Sequence, residues 1–352
     1  MSGLLAGYHF KRNNIDFEIF EKSGRIGGKI QSFNIGNNIF EAAANSILMT
    51  PKLKSFFKEL ALEPIPTNKN LKRLIYKNNS IRSFPFLNFI ELPGLFFRLL
   101  KKCPTDIDSM SVKDFWSPLL GANNCNNVLT PILNGIYATP SEQLKFTDVF
   151  NTDFAFKNKS YFSYLKFLRS KMDGVKSVSF QGGMEELPKK LGSFLKDHIS
   201  LNNEIHDYPP NTLICTDSSQ ILEEGNTSIY SHCLISSPID KLNNSYGILF
   251  SGADDILGIV CNHQIFSFNQ DPSYTIMSKV IMSKIEIKNK LQKLFNQKVS
   301  ISHYEAFQWP KGLPLYDHSR ENKIKNLDLK NLAYFGNYTS GISLRSLIEQ
   351  TI

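Results

Sequence analysis

Residues 15–32 read Ile15-Asp16-Phe17-Glu18-Ile19-Phe20-Glu21-Lys22-Ser23-Gly24-Arg25-Ile26-Gly27-Gly28-Lys29-Ile30-Gln31-Ser32, and their order decides the fold. Ile15 to Phe20 alternates apolar and polar side chains, the period of a half-buried strand. A polar, glycine-rich loop follows at once, and residues 2–12 before the strand read as a helix. Gly3 and Gly7 stand four apart on one face of that helix, where a missing side chain lets it pack closely on a sheet. Helix, strand and glycine loop in this order point to a mixed α/β fold.

A dinucleotide-binding unit runs strand, glycine turn, helix, strand, and then an acid about 20 residues on that accepts from ribose hydroxyls. Gly3 and Glu21, 18 positions apart, match the last glycine and that acid. A carboxylate at the end of an alternating strand suits the role; an exposed strand-end glutamate is the plainer alternative. The chain opens inside the helix, so the first strand and the first two glycines of G-x-G-x-x-G are expected in frame upstream.

Outward from this unit, residues 30–41 resemble a hairpin turning at Gly36-Asn37-Asn38. Thr50-Pro51 starts a helix with Leu53, Phe56, Phe57 and Leu60 at helical spacing. Arg73–Tyr76 and Ser80–Phe84 flank Asn78-Asn79, a second hairpin candidate. Residues 86–172 change character and read as mostly helical, with Ser111 and Asp114 placed as a capping box. Strands are expected at 177–180 and 212–215, antiparallel strands over 230–270, and a long helix over 274–296. Further strands are expected at 299–302 and 332–335, and a last helix at 342–350.

The 352 residues exceed one usual domain, so two or more cores are expected. The net charge of +8 is spread along the chain. That distribution suits a solvated surface, an anionic membrane face or a carboxylate-bearing substrate. No compact run interleaves basic and aromatic residues, so nucleic acid is not an expected partner. Five scattered cysteines without a C-x-x-C, and seven histidines without ligand spacing, point to a reducing compartment and to no metal. No secretory leader and no apolar run of about 20 residues is read, so a cytoplasmic location is expected. Phe86 to Lys102 is rich in Leu and Phe and ends in basic residues. It is a candidate for peripheral contact with the cytoplasmic membrane face, or for a helix pair within the segment's own core.

Glu21 to Ser32 resembles the flavin-enzyme motif E-x-x-x-R-x-G-G-[KR]-x-x-[ST]. There the backbone at Gly27 and Gly28 approaches the FAD pyrophosphate, with Arg25 and Lys29 offsetting its charge. Gly336-Asn337-Tyr338-Thr339-Ser340-Gly341-Ile342-Ser343 resembles the closing FAD motif of the same enzymes, in which a helix start points N–H groups at the flavin. A mere Gly-Gly turn and a merely capped C-terminal helix are the structural alternatives. Phe180-Gln181-Gly182-Gly183-Met184, Asn202-Asn203-Glu204-Ile205, Tyr246–Phe250 with Ile256-Leu257-Gly258, and Trp309–Tyr316 are similar, in order, to segments of the protoporphyrinogen oxidase family. Two departures stand out: Ala43-Ala44-Asn45 replaces a glycine-containing triplet near the flavin, and the chain is short for the family.

The resemblance implies a discontinuous, Rossmann-like FAD domain (1–65, 173–229 and 311–352). It adds an antiparallel-sheet substrate domain (66–85 and 230–310) and a helical insert (86–172). It implies FAD held by Gly3, Glu21, Arg25, Gly27, Gly28, Lys29, Ala44, Asn45, Ile205, Gly336, Asn337, Gly341, Ile342 and Ser343. It implies a porphyrinogen substrate, either protoporphyrinogen IX or coproporphyrinogen III, with Arg73 on a propionate; a surface arginine at a strand edge is the plainer alternative for Arg73. Electrons pass to dioxygen or another acceptor. The flavin carries the chemistry, so no catalytic side chain is named. An amine oxidase or carotenoid desaturase on the same scaffold, and a flavin-free porphyrin-binding protein, are the alternatives.

Overall fold

The computed structural model describes residues 1–352 except 86, 151, 153, 173, 223–224, 252–254 and 329–331. The chain opens on α1 (Ser2–Arg12) and β1 (Ile19–Glu21), followed by the hairpin β2 (Ser32–Ile35) and β3 (Asn38–Glu41). Then come β4 (Ile47–Met49), α2 (Pro51–Glu59), β5 (Ile65–Pro66), β6 (Lys72–Lys77) and β7 (Ser80–Ser83). A helical stretch follows: α3 (Leu95–Leu100), α4 (Val112–Leu120), α5 (Ala122–Asn124), α6 (Thr130–Tyr137), α7 (Phe146–Val149) and α8 (Tyr161–Met172). The chain returns through β8 (Lys176–Ser179), α9 (Glu186–Phe194), β9 (Ile199–Leu201), β10 (Leu213–Ile214) and α10 (Ser218–Ile221). The remaining elements are β11 (Asn226–Ser236), β12 (Ser245–Phe250), β13 (Ile256–Cys261), α11 (Asn262–Ile265), β14 (Ser273–Ser278) and α12 (Lys284–Phe295). The last are β15 (Ile301–Pro314), α13 (Arg320–Asp328), β16 (Ala333–Tyr334) and α14 (Leu344–Glu349). The fold is mixed α/β.

One core joins distant parts of the sequence. Leu5 of α1, Phe57 of α2, Leu187 and Leu191 of α9, and Ile348 of α14 are buried together. Burying a side chain such as Phe57 stabilises by about 1.5–3 kcal/mol, so the three segments hold each other in place. Thr50 caps α2 by accepting from Leu53 N–H at 3.3 Å, and Pro51 fixes its first turn. α1 crosses β1 closely at Gly7, where a Cβ would fall 2.7 Å from Ile19 Cδ1. Gly3 is different: its Cβ would meet Cys215 and Ile19 at 3.7 and 3.8 Å, ordinary contact, so packing does not demand a glycine there.

The largest sheet has the order β15-β11-β14-β13-β12-β6-β7. It is not purely antiparallel, because β12 pairs parallel with β6. β11 begins at Asn226 and β15 runs to Pro314, so 226–229 and 311–314 lie in this sheet, beyond the expected limits of 230 and 310. The helix expected over 274–296 is two elements. Residues 273–278 form the inner strand β14, and α12 starts only at Lys284, behind a capping box between Ser283 and Glu286. β14 keeps a two-residue alternation, with Tyr274 and Ile276 entering the core and Ser273 and Thr275 alternating with them. α12 then packs on the sheet through Ile287, Leu291 and Phe295.

The helical stretch has its own aromatic core around Phe115, whose ring stacks on Phe146 at 3.9 Å. Its outer surface carries Phe89, Ile90, Phe96 and Phe97, which are 79, 86, 67 and 72% exposed. Phe86, expected at the start of this patch, lies outside the described residues. Arg98 donates to the Glu91 carbonyl. Among the described residues, no helix is long and apolar enough to cross a membrane.

Candidate functional site

Glu21 ends β1, and the parallel pairing of β1 with β9 fixes what stands beside it. Asn203 N–H donates to Glu21 O at 3.0 Å and Asn202 N–H to Ser23 O at 3.1 Å. These bonds bring Asn202 and Asn203 against the glycine loop, and Ile205 follows two residues on. The Glu21 carboxylate accepts twice through one oxygen, from Ser23 N–H at 2.9 Å and Ser23 O–H at 2.7 Å. Its second oxygen is left open among the described residues.

Gly27 and Gly28 both adopt positive φ, at 97° and 61°. At Gly27 a Cβ would also press on Pro188 at 3.0 Å, so shape and backbone both require glycine. At Gly28 an added Cβ would meet the Met1 nitrogen at 3.8 Å, an ordinary contact. The loop therefore meets the start of α1, whose first turn has no side-chain cap.

The two expected phosphate cations are engaged elsewhere. Arg25 donates to the carbonyls of Gly28 and Ile30 and pairs with Glu185 at 3.3 Å. Lys29 donates to Gly312 O and pairs with Asp217. In this conformation both hold the loop.

The closing segment turns at Gly336, where Thr339 N–H donates to the Gly336 carbonyl at 3.0 Å and Tyr316 O–H donates to Asn337 O. Gly341 has φ 100°, and Ser343 caps α14 by accepting from Ser346 N–H at 3.1 Å. One of the N–H groups expected to face the flavin is thus already used. Ile342 packs on the aromatic core of the helical stretch. α14 is tied to the start of α2 by a hydrogen bond from Thr50 O–H to Glu349 at 2.6 Å. Ala44 packs on the core that contains α1 and α9, and Asn45 lines a small cavity beside Glu41. Trp309 Nε1–H donates to Ala42 O at 2.9 Å, joining this segment to β15. Arg73 lies apart on β6, its guanidinium 5.4 Å from the Tyr246 ring.

Sequence reasoning missed Glu41 and Glu185. Glu41 is buried, and burial pushes its carboxyl up to about 8 against the pull of its bonds to Met184 N–H and Ser32. The available signal was a lone acid inside the apolar run Ile39–Ala44.

This donor set fits the adenosine and pyrophosphate end of FAD. A carboxylate oxygen of Glu21 is open, and Gly28 presents bare backbone beside it. Among the described residues no cluster of His, Cys, Asp or Glu could hold a metal ion.

A family model for flavin containing amine oxidoreductases matches residues 1–244. The chain is 26% identical to coproporphyrinogen III oxidase of Staphylococcus aureus, over 78% of this chain and 62% of that protein. It therefore spans less than two thirds of that relative's length. It is 22% identical to the chloroplastic/mitochondrial protoporphyrinogen oxidase 2 of Arabidopsis thaliana, covering 98% of this chain and 89% of that one. Its fold is similar to cyclohexylamine oxidase from Brevibacterium oxydans, with a TM-score of 0.68 at 12% identity over 99% and 94% of the two chains. It is also similar to a protein from Exiguobacterium sp. assigned as a protoporphyrinogen oxidase, with a TM-score of 0.80 at 15% identity over 99% and 94%.

Proposed function

The chain belongs to the flavin containing amine oxidoreductase family, and from that premise we propose an FAD-dependent oxidoreductase that converts a porphyrinogen to its porphyrin. The substrate is coproporphyrinogen III or protoporphyrinogen IX. The observation that carries this reading is the likeness to two porphyrinogen oxidases, one aligned with 98% of the chain.

In this reading the open oxygen of Glu21 would accept from ribose hydroxyls. The start of α1 with the backbone at Gly3, Gly27 and Gly28 would meet the pyrophosphate, and the backbone at Ile205 would lie against adenine. Lys29 and Arg25 would sit behind the phosphates. Ala44, Asn45 and the turn from Gly336 to Ser343 would border the isoalloxazine. Bound FAD supplies hydride acceptance from the reduced macrocycle. Arg73 would pair with a substrate carboxylate, and dioxygen is the proposed final acceptor. The protein works in the cytoplasm, with the exposed Phe89, Ile90, Phe96 and Phe97 resting on the membrane surface beside Lys101 and Lys102.

A flavin-free porphyrin-binding protein is the second reading. The engagement of both Arg25 and Lys29 favours it. Porphyrin fluorescence on incubation of the FAD-loaded protein with each porphyrinogen separates the two. Formation well above the protein-free rate is expected for one substrate, and a rate equal to autoxidation for both contradicts the enzyme.

A further inference from the structure

Glu41, the last residue of β3, is 6% exposed and sits at a junction of three chain segments. One carboxyl oxygen accepts from Met184 N–H at 2.8 Å, and the other lies 2.7 Å from Ser32 Oγ. Ser32 Oγ in turn accepts from Glu185 N–H at 3.0 Å. The turn is moulded on this pair. Gly183 has φ 83°, and a Cβ there would fall 2.4 Å from Ser32 Oγ and 2.6 Å from Glu41 Oε1. One step outward, the Glu185 carboxylate pairs with Lys189 at 3.0 Å and Arg25 at 3.3 Å. Arg25 then holds the carbonyls of Gly28 and Ile30. Polar contacts thus run without a break from Glu41 to the glycine-rich loop.

We propose that Glu41 is a positioning residue for that loop, acting as an uncharged acid through the 183–185 turn, Glu185 and Arg25. Loss of its proton loosens the loop and lowers FAD affinity. The inference rests on the flavin-binding reading above.

The surroundings favour the neutral form. Glu185, on the turn, is a like charge, and it already occupies the nearby cations Arg25 and Lys189. From β11, Cys233 bonds the Glu41 carbonyl, and burial holds its thiol up at about 12, so it is neutral too. On the remaining side Asn45, Ser179, Asn262 and Asn269 line a cavity of about 10 Å³. Two atoms there, Ser179 Oγ and Asn262 Oδ1, are buried without a partner, and among the described residues no cation forms an ion pair with Glu41. Burial accordingly raises its pKa from 4.5 to about 8. A carboxyl whose folded pKa lies above its unfolded one contributes full stability below the lower value. That contribution drains away as pH rises toward the upper value and is constant beyond it.

The test compares the wild type with Glu41→Gln, an uncharged isostere, between about pH 5 and about pH 9.5. Urea unfolding reads stability of the flavin-free protein, and quenching of FAD fluorescence reads affinity. Wild-type stability is expected to fall from about pH 5 to about pH 8, a slope that Glu41→Gln removes. Wild-type affinity is expected to drop about tenfold through a break near pH 8, while Glu41→Gln keeps its low-pH affinity throughout. A variant that reproduces either wild-type profile overturns the proposal. Should Glu41→Gln fail to fold, Glu185→Gln serves: it is expected to keep the stability slope and lose the affinity break. An affinity break that survives in Glu185→Gln overturns the relay. Wild type that binds no FAD at any pH contradicts the flavin reading itself, and with it this role. FAD binding without a break contradicts only the role of Glu41.

Discussion

The Arg320 guanidinium lies 2.7 Å from the Asp148 carboxylate, with the two side chains only 9 and 15% exposed. The pair ties α13 to α7 and so fastens the helical stretch to the C-terminal segment. Arg320 also donates through Nε to Tyr338 O at 3.1 Å and lies 4.3 Å from the centre of the Tyr316 ring. Removing one partner strands a buried charge. Arg320→Ala is expected to lower unfolding free energy by about 3–5 kcal/mol in urea titration. A loss under about 1 kcal/mol would place the pair among solvated surface bridges.

Glu21→Ala is expected to weaken FAD binding by about tenfold or more, an effect of roughly 1.5–3 kcal/mol, because ribose hydroxyls lose a charged acceptor. Equilibrium dialysis reads it. Unchanged retention would leave Glu21 as the anchor of Ser23 alone.

Lys29 is held by Asp217 and the Gly312 carbonyl. If it turns to the pyrophosphate when FAD binds, Asp217→Asn frees it and raises FAD affinity by a few fold, while Lys29→Ala lowers it about tenfold. Equal affinities in wild type and both variants, by fluorescence titration, would confine Lys29 to bracing the loop.

Phe96→Asp together with Phe97→Asp is expected to leave unfolding within about 0.5 kcal/mol of wild type, because both rings are exposed. The same variant is expected to abolish sedimentation with anionic vesicles. Co-sedimentation equal to wild type removes the membrane proposal.

The parts of the fold that were legible in the sequence are those fixed by local rules. Thr50-Pro51 starts α2, Ser283 with Glu286 starts α12, and positive φ at Gly27, Gly28 and Gly341 follows the glycines quoted in the two motifs. What escaped depends on long-range contact. The Arg25 partner Glu185 lies 160 residues away, so no spacing rule reveals that the cation is spent on its own loop. Glu41 looked like an ordinary strand end until the fold enclosed it. β14 is the exception: the alternation Ser273-Tyr274-Thr275-Ile276 is a strand signal, masked because the segment runs on into the helical spacing of α12.

The most direct test of the central claim is anaerobic mixing of the FAD-loaded protein with coproporphyrinogen III or protoporphyrinogen IX in a stopped-flow spectrophotometer. The account predicts that, for one of the two substrates, the oxidised-flavin absorption band bleaches as the macrocycle gives up its first electron pair. The band returns, and porphyrin accumulates, only when oxygen is admitted to take the remaining electrons. A band that stays constant with both, while porphyrin forms no faster than in buffer, would contradict it.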